Sequence, residues 1–205
     1  MIDYLHLRRL IGYVAFFLPW LLIITNKIFA PGPLPGSISD YYYANATSQT
    51  ILVGSLCIIW AFLITYRGYD RDWIPAKITA FSALGVAICP TIPLHPTAWN
   101  NIIGILHGTF AALTFLTMAY ICLFLFTKTN RGEVLYTYGV SKAKLRRNRV
   151  YRICGIVMLC DLPLIPILLN VQALKPYHPM FWLETILIEA FSVAWLVKGQ
   201  IVLKG

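Results

Sequence analysis

The chain has 205 residues, of which 59% are hydrophobic and only 12% are charged, and its formal net charge is +9. With a mean hydropathy of +0.69, it is too apolar for an ordinary soluble domain. Its Lys and Arg residues flank apolar runs instead of forming one basic face, which argues against a nucleic-acid partner. These features predict a single all-α integral membrane domain that covers residues 1–205.

Several apolar runs are long enough to cross a bilayer, because a transmembrane helix needs about 20 mostly apolar residues. The runs are continuously apolar rather than alternating, so helices are favoured over a β-barrel. We therefore predict a six-span helix bundle, multi-pass in the cell membrane. The spans are expected near residues 10–30, 49–66, 74–94, 101–126, 150–172 and 180–201.

The distribution of positive charge predicts the orientation of this bundle. All of the 17 Lys and Arg except Lys27 and Lys175 fall on one side of the predicted topology. The positive-inside rule makes that side cytoplasmic, so both termini are expected in the cytoplasm, as an even number of spans also requires. The basic run at 142–149 could in addition bind anionic membrane lipids, but the topology signal alone explains it.

The polar and aromatic segment SISDYYY, residues 37–43, then falls in an extracytoplasmic loop. One interpretation is that its tyrosines belong to the aromatic belt found at membrane interfaces. The other is that the segment is the lid of a polar pocket, in which hydroxyls and a carboxylate donate or accept hydrogen bonds and rings cover the ligand. The residues expected to contact the ligand from this lid are Ser37, Ser39, Asp40, Tyr41 and Tyr43.

Ionisable residues inside the predicted spans are the second candidate feature. Such residues are costly in a membrane and usually face the bundle interior or a water-filled cavity. We predict that His107, Asp161 and Glu184 form the floor of the pocket, while Glu189 lies on a different face of its helix from Glu184. Pro163 is expected to break the fifth span close to Asp161.

The spacing around the histidine predicts which helix face points inward. Asn100, His107 and Thr114 repeat every seven residues and therefore share one face of a helix. Gly104 and Gly108 flank the histidine and are expected to let another helix approach.

Four stretches of the chain carry a resemblance: SISDYYY, LVGSLCIIWAFLITYRGYD, HGTFAALTFLTMAYICLFLF and RRNRVYRICGIVML. Together they resemble a family of small bacterial polytopic membrane proteins of unknown function. More distantly, they are similar to the DRAM/Sfk-type superfamily of five- to six-span proteins, some of which are linked to lipid or lipid-anchor handling. The resemblance implies the bacterial inner membrane and a lipid-related role, and it carries over no catalytic residue.

Three functions remain open from the sequence. The first is a protein that binds a small ligand or a lipid headgroup in the polar pocket. The second is a metal-dependent hydrolase of a lipid or amide, in which zinc is held by His107, Asp161 and Glu184, although no HxxxH or HExxH pair is present. The third is a proton- or cation-coupled transporter using Asp161 and Glu189, whose pore would require a homo-oligomer. No cofactor is firmly implied.

Overall fold

The computed structural model describes residues 4–66, 72–128 and 142–203, and every regular element in these ranges is helical. A π-helical turn, Ile121–Leu125, extends helix α5, and a 3-10 helix, Gln172–Tyr177, precedes α8. The all-α prediction is therefore confirmed. The α-helices are α1 Tyr4–Phe29, α2 Tyr41–Ala44, α3 Ala46–Thr65, α4 Trp73–Ile88, α5 Ala98–Tyr120, α6 Lys142–Asp161, α7 Leu164–Leu169 and α8 Pro179–Lys198.

Five helical segments of the described chain are long and apolar enough to cross a membrane. They correspond to the predicted spans except the one near 74–94, which contains the shorter helix α4. With 16 residues, α4 is about 24 Å long, whereas the hydrocarbon core of a bilayer is about 30 Å thick. The five segments are Leu5–Phe29, Ala46–Thr65, Ala98–Leu125, Lys142–Leu169 and Pro179–Lys198.

The six long helices close a ring. Along the chain, α1 packs on α3, α3 on α4, α4 on α5, α5 on α6 and α6 on α8, and α8 returns to α1. Small residues allow close approach at these contacts. A Cβ atom at Gly12 would lie 2.7 Å from the Leu196 side chain, and one at Gly85 would lie 2.5 Å from the Phe110 ring. The ring leaves large apolar side chains such as Ile105 exposed on its outer surface, where lipid tails would cover them.

The helix break predicted next to Asp161 is present. Helix α6 ends at Asp161, and α7 begins at Leu164. Pro163 lies between them and lacks the amide hydrogen that would continue the helical ladder. The peptide nitrogen of Leu162 still donates to the Met158 carbonyl at 3.2 Å, so the interruption is local.

The two ends of the ring are formed by different segments of the chain. We name as the loop end the segments 30–45, 89–97 and 170–178, which connect the helices on one side. We name as the terminal end residues 5–10, 66, 72, 126–128, 142–147 and 195–203. The Nε atom of Arg9 donates to the Gly199 carbonyl at 2.8 Å, so the start of α1 and the end of α8 meet at the terminal end.

Candidate functional site

The SISD part of the loop folds as a turn that precedes helix α2. Ser37 Oγ accepts from the Asp40 peptide nitrogen at 3.0 Å. Asp40 is the N-cap residue of α2, and its side chain makes no capping hydrogen bond. Burial raises the pKa of Asp40, while its hydrogen bonds with Ser37 act in the opposite direction. Ser37 and Asp40 therefore shape the loop itself.

Two of the three tyrosines connect this loop to the rest of the structure through packing or a hydrogen bond. Tyr41 is fully buried and packs against the Phe181 ring with a centroid distance of 6.2 Å, and burial raises its pKa to about 12. Tyr43 is exposed, and its hydroxyl donates to the Thr91 carbonyl at 2.9 Å. Tyr41 is thus a packing residue, and Tyr43 ties the loop to the segment 89–97.

Glu184 of α8 binds the same turn. Its Oε2 atom accepts from the peptide nitrogens of Ile38, at 2.5 Å, and Ser39, at 3.2 Å. Hydrogen bonds to a carboxylate are stronger than those to a neutral acceptor. The carboxylate therefore holds the loop down onto α8.

His107 of α5 reaches the same serine from the other side. Its Nδ1 atom lies 2.7 Å from the Cys89 carbonyl oxygen, and its Nε2 atom lies 3.0 Å from Ser39 Oγ. Because a carbonyl can only accept, Nδ1 carries the hydrogen, and Nε2 of the neutral ring accepts the Ser39 hydroxyl hydrogen. Glu184 Oε1, at 3.4 Å from Ser39 Oγ, is the more distant acceptor for that hydrogen.

The structure thus brings together two of the three predicted floor residues, His107 and Glu184, with Ser39 between them. Asp161 is buried elsewhere, and its Oδ2 atom has no hydrogen-bond partner among the described residues. Glu189 is separate as well, because it accepts from Trp20 Nε1 at 2.9 Å. Asp161 therefore does not join the pocket floor in this structure.

The metal hypothesis receives no support from this geometry. In the described ranges, no group of three or more His, Cys, Asp or Glu side chains is placed to hold a metal ion. His107, Asp161 and Glu184 in particular do not form the expected zinc ligand set, because Asp161 lies apart from the other two.

The inward face of α5 differs in part from its prediction. His107 and Thr114 are buried as expected, but Asn100 forms a capping box with Thr97 at the start of the helix. Gly104 gives space to the Ile92 side chain of the segment 89–97 rather than to a helix. At Gly108, a Cβ atom would have no neighbour within 4 Å, so none of the described helices approaches there.

An apolar cavity lies inside the ring, directly below Ser39 and Glu184. Its volume is about 80 Å³, several times the roughly 10–15 Å³ that one water molecule needs. From Glu184 to Phe191 on α8, the lining extends over about 10 Å at 1.5 Å per residue. The lining comes from five helices and the loop: Ala15, Leu18, Ile38, Ser39, Leu52, Leu56, Ile59, Ala83, Val86, Ala111, Thr114, Phe115, Met118, Glu184, Ile188 and Phe191.

Two parts of this site were missed from the sequence. The turn at 37–40 was readable, because Ser and Asp side chains favour turns by bonding to nearby backbone groups. The cavity was not readable, because its apolar lining residues have the same composition as the rest of the spans. The Cys89 carbonyl that orients His107 belongs to the backbone and has no signature in a sequence.

Comparison with protein-family models, with curated proteins and with solved structures found no match to this chain.

Proposed function

We propose that this protein binds an amphiphile, a lipid or lipid-like molecule, with its linear apolar chain in the cavity and its polar group beside Ser39, His107 and Glu184. One observation carries the proposal. The cavity is lined mainly by apolar side chains, and Glu184 and Ser39 line it at the end below the SISDYYY loop, where His107 contacts Ser39. This distribution matches a molecule that is apolar at one end and polar at the other.

The size and charge of the cavity narrow the class of ligand. A cavity of about 80 Å³, lined over about 10 Å of α8, has room for a short linear chain. At the polar end, the Glu184 carboxylate disfavours an anionic headgroup because like charges repel in a low dielectric. We therefore expect an uncharged polar group, such as an ester, amide or hydroxyl, next to Ser39.

The distant resemblance to the DRAM/Sfk-type superfamily, some of whose members are linked to lipid handling, also implies a lipid-related role. The transport hypothesis gains less, because Asp161 and Glu189 are joined by no hydrogen bond or ion pair in the part of the chain that the structure describes. Binding of an amphiphile is therefore the function that this geometry supports best.

We further propose that α4 is a sixth span and that the loop end faces the extracytoplasmic side of a bacterial inner membrane. Helix α4 packs along both α3 and α5, which are of spanning length. The excess of Lys and Arg near the terminal end supports a cytoplasmic location for that end.

A photo-crosslinking experiment tests the binding function. The purified protein in nanodiscs is given a neutral monoacylglycerol that carries a diazirine near the end of its acyl chain, and the crosslinked residues are mapped by mass spectrometry. We expect crosslinks to cavity residues such as Leu56, Phe115 and Met118. Ala111→Leu fills the cavity and should abolish them, whereas Ala112→Leu, at an exposed neighbouring position, should not.

The same experiment can contradict the proposal. Crosslinks that occur only on the outer surface, for example at Ile105 or Leu116, would show that the chain contacts the protein from the bilayer. Equal cavity crosslinking in Ala111→Leu and Ala112→Leu would show that the probe does not occupy this space.

A further inference from the structure

The arrangement around Ser39 contains the parts of a nucleophile and its base. A serine hydroxyl is a weak nucleophile unless an adjacent base takes its proton, and that base must itself be oriented by a third group. Here, His107 Nε2 lies 3.0 Å from Ser39 Oγ, and the Cys89 carbonyl fixes the opposite ring nitrogen at 2.7 Å. Both distances are within the range required for general-base catalysis.

The surroundings of Ser39 favour reaction with an acyl chain. Ser39 lines the apolar cavity, and it also lines a smaller pocket of about 10 Å³ that it shares with His107. The serine thus lies where the polar group of a chain in the cavity would be placed. Proximity of this kind is a major source of rate enhancement in enzymes.

Two peptide N–H groups hold the backbone of the nucleophile in place. Those of Ile38 and Ser39 donate to a single oxygen, Glu184 Oε2. Glu184 therefore fixes the position of Ser39 relative to His107, which is 3.0 Å from Ser39 Oγ through its Nε2 atom.

We propose that Ser39 and His107 form a catalytic pair that hydrolyses esters of linear acyl chains, with the acyl chain held in the cavity. The inference rests on the proposed amphiphile-binding function, because the cavity has to deliver the acyl carbonyl to Ser39.

The reaction proceeds in two balanced steps. In the first, Ser39 Oγ forms a bond to the acyl carbon as its proton passes to His107 Nε2. The ester C–O bond then breaks, and the alcohol leaves with that proton. In the second step, water gives a proton to Nε2 and attacks the acyl carbon, the bond to Ser39 breaks, and Oγ regains the proton. The products are a carboxylic acid and an alcohol.

An octyl fluorophosphonate tests the pair, since it reacts with an activated serine by forming an O–P bond and releasing fluoride. We expect the wild-type protein to be labelled on the peptide that contains Ser39. Mass spectrometry of the labelled wild-type protein locates this peptide directly. Ser39→Ala should lose the label. His107→Gln should be labelled about a hundredfold more slowly. Ser55→Ala, a half-buried serine outside the cavity lining, should be labelled at the wild-type rate.

The outcomes separate this proposal from the binding function. If the diazirine probe crosslinks inside the cavity but the fluorophosphonate does not label Ser39, the catalytic pair is refuted and binding stands. If neither probe reacts there, both proposals fail. Labelling of Ser39 at an equal rate in folded His107→Gln would refute the role of His107 as base. Thermal unfolding of each variant establishes that it is folded.

Discussion

The loop end and the terminal end of the ring differ in how polar their contacts are. At the loop end, Tyr41 packs against Phe181, and hydrogen bonds join Glu184 and His107 to the Ser39 segment beside a cavity. At the terminal end, the space is filled by rings. Trp195 is 1% exposed and lies edge-on to the Phe126 ring, with centroids 5.1 Å apart.

Cations complete the packing at the terminal end. Lys198 Nζ lies 4.9 Å from the Phe126 ring centroid, and Lys128 forms an ion pair with Asp72. A cation over an aromatic ring is stabilised by the ring's quadrupole. This end therefore provides the fixed part of the bundle, whereas the loop end combines a polar network with free volume. We therefore propose that the terminal end anchors the bundle and that the loop end binds the ligand.

The largest expected effect concerns the side of the membrane on which each end lies, because the cysteine labelling that reports it is all or none. We expect Leu94→Cys, at a loop-end residue that is 96% exposed, to react with a membrane-impermeant maleimide in intact cells. Lys142→Cys should react only after permeabilisation, since the positive-inside rule places it in the cytoplasm. The unsubstituted chain serves as the blank for its own five cysteines, and the reverse labelling pattern would invert the assignment of the two ends.

Truncation of Trp195, one of the buried aromatic residues at the terminal end, should have the largest effect on the free energy of unfolding. Trp195→Ala removes a fully buried ring and leaves a cavity, which costs about 3 kcal/mol in the free energy of unfolding. Trp182→Ala is the matched control at the loop end, because Trp182 is 46% exposed, and it should cost less than about 1 kcal/mol. Unfolding of the detergent-solubilised protein measures both, and equal losses would show that the terminal end is not the anchor.

The helices were more predictable than the site for a physical reason. An apolar run of about 20 residues is a signal that composition alone provides, so five predicted spans correspond to helices of spanning length. The region 74–94 was overestimated in length, because Pro90 and Pro93 end helical structure after α4. A hydropathy profile does not show that these prolines lack the backbone N–H group that a helix needs.

The site was predictable only where polar residues are scarce. His107 and Glu184 were identified because ionisable groups inside a membrane need partners, and each has a partner in the loop. The same reasoning placed Asp161 in the pocket. However, which face of a helix points into the bundle depends on how the helix is rotated in the ring. Single-helix patterns do not fix that rotation, and Asp161 is not among the residues that line the cavity.

The smallest expected effect is local and tests how the loop end is held. Glu184→Ala removes the acceptor of two peptide N–H groups, at Ile38 and Ser39, and an unsatisfied buried donor costs about 1–3 kcal/mol. A loss of about 1.4 kcal/mol corresponds to tenfold, so amide hydrogen exchange in the peptide covering 37–44 should become roughly tenfold faster.

Glu189→Ala is the matched control on the same helix. Among the described residues, Glu189 accepts only from the Trp20 side chain, so its removal should leave exchange at 37–44 unchanged. Glu184→Gln keeps one acceptor oxygen without the charge, and because hydrogen bonds to neutral acceptors are weaker, it should fall between wild type and Glu184→Ala. Equal exchange at 37–44 in the alanine variants of Glu184 and Glu189 would show that the carboxylate does not hold the loop. The loop end would then be fastened by the packing of Tyr41 against Phe181, as the terminal end is fastened by Trp195.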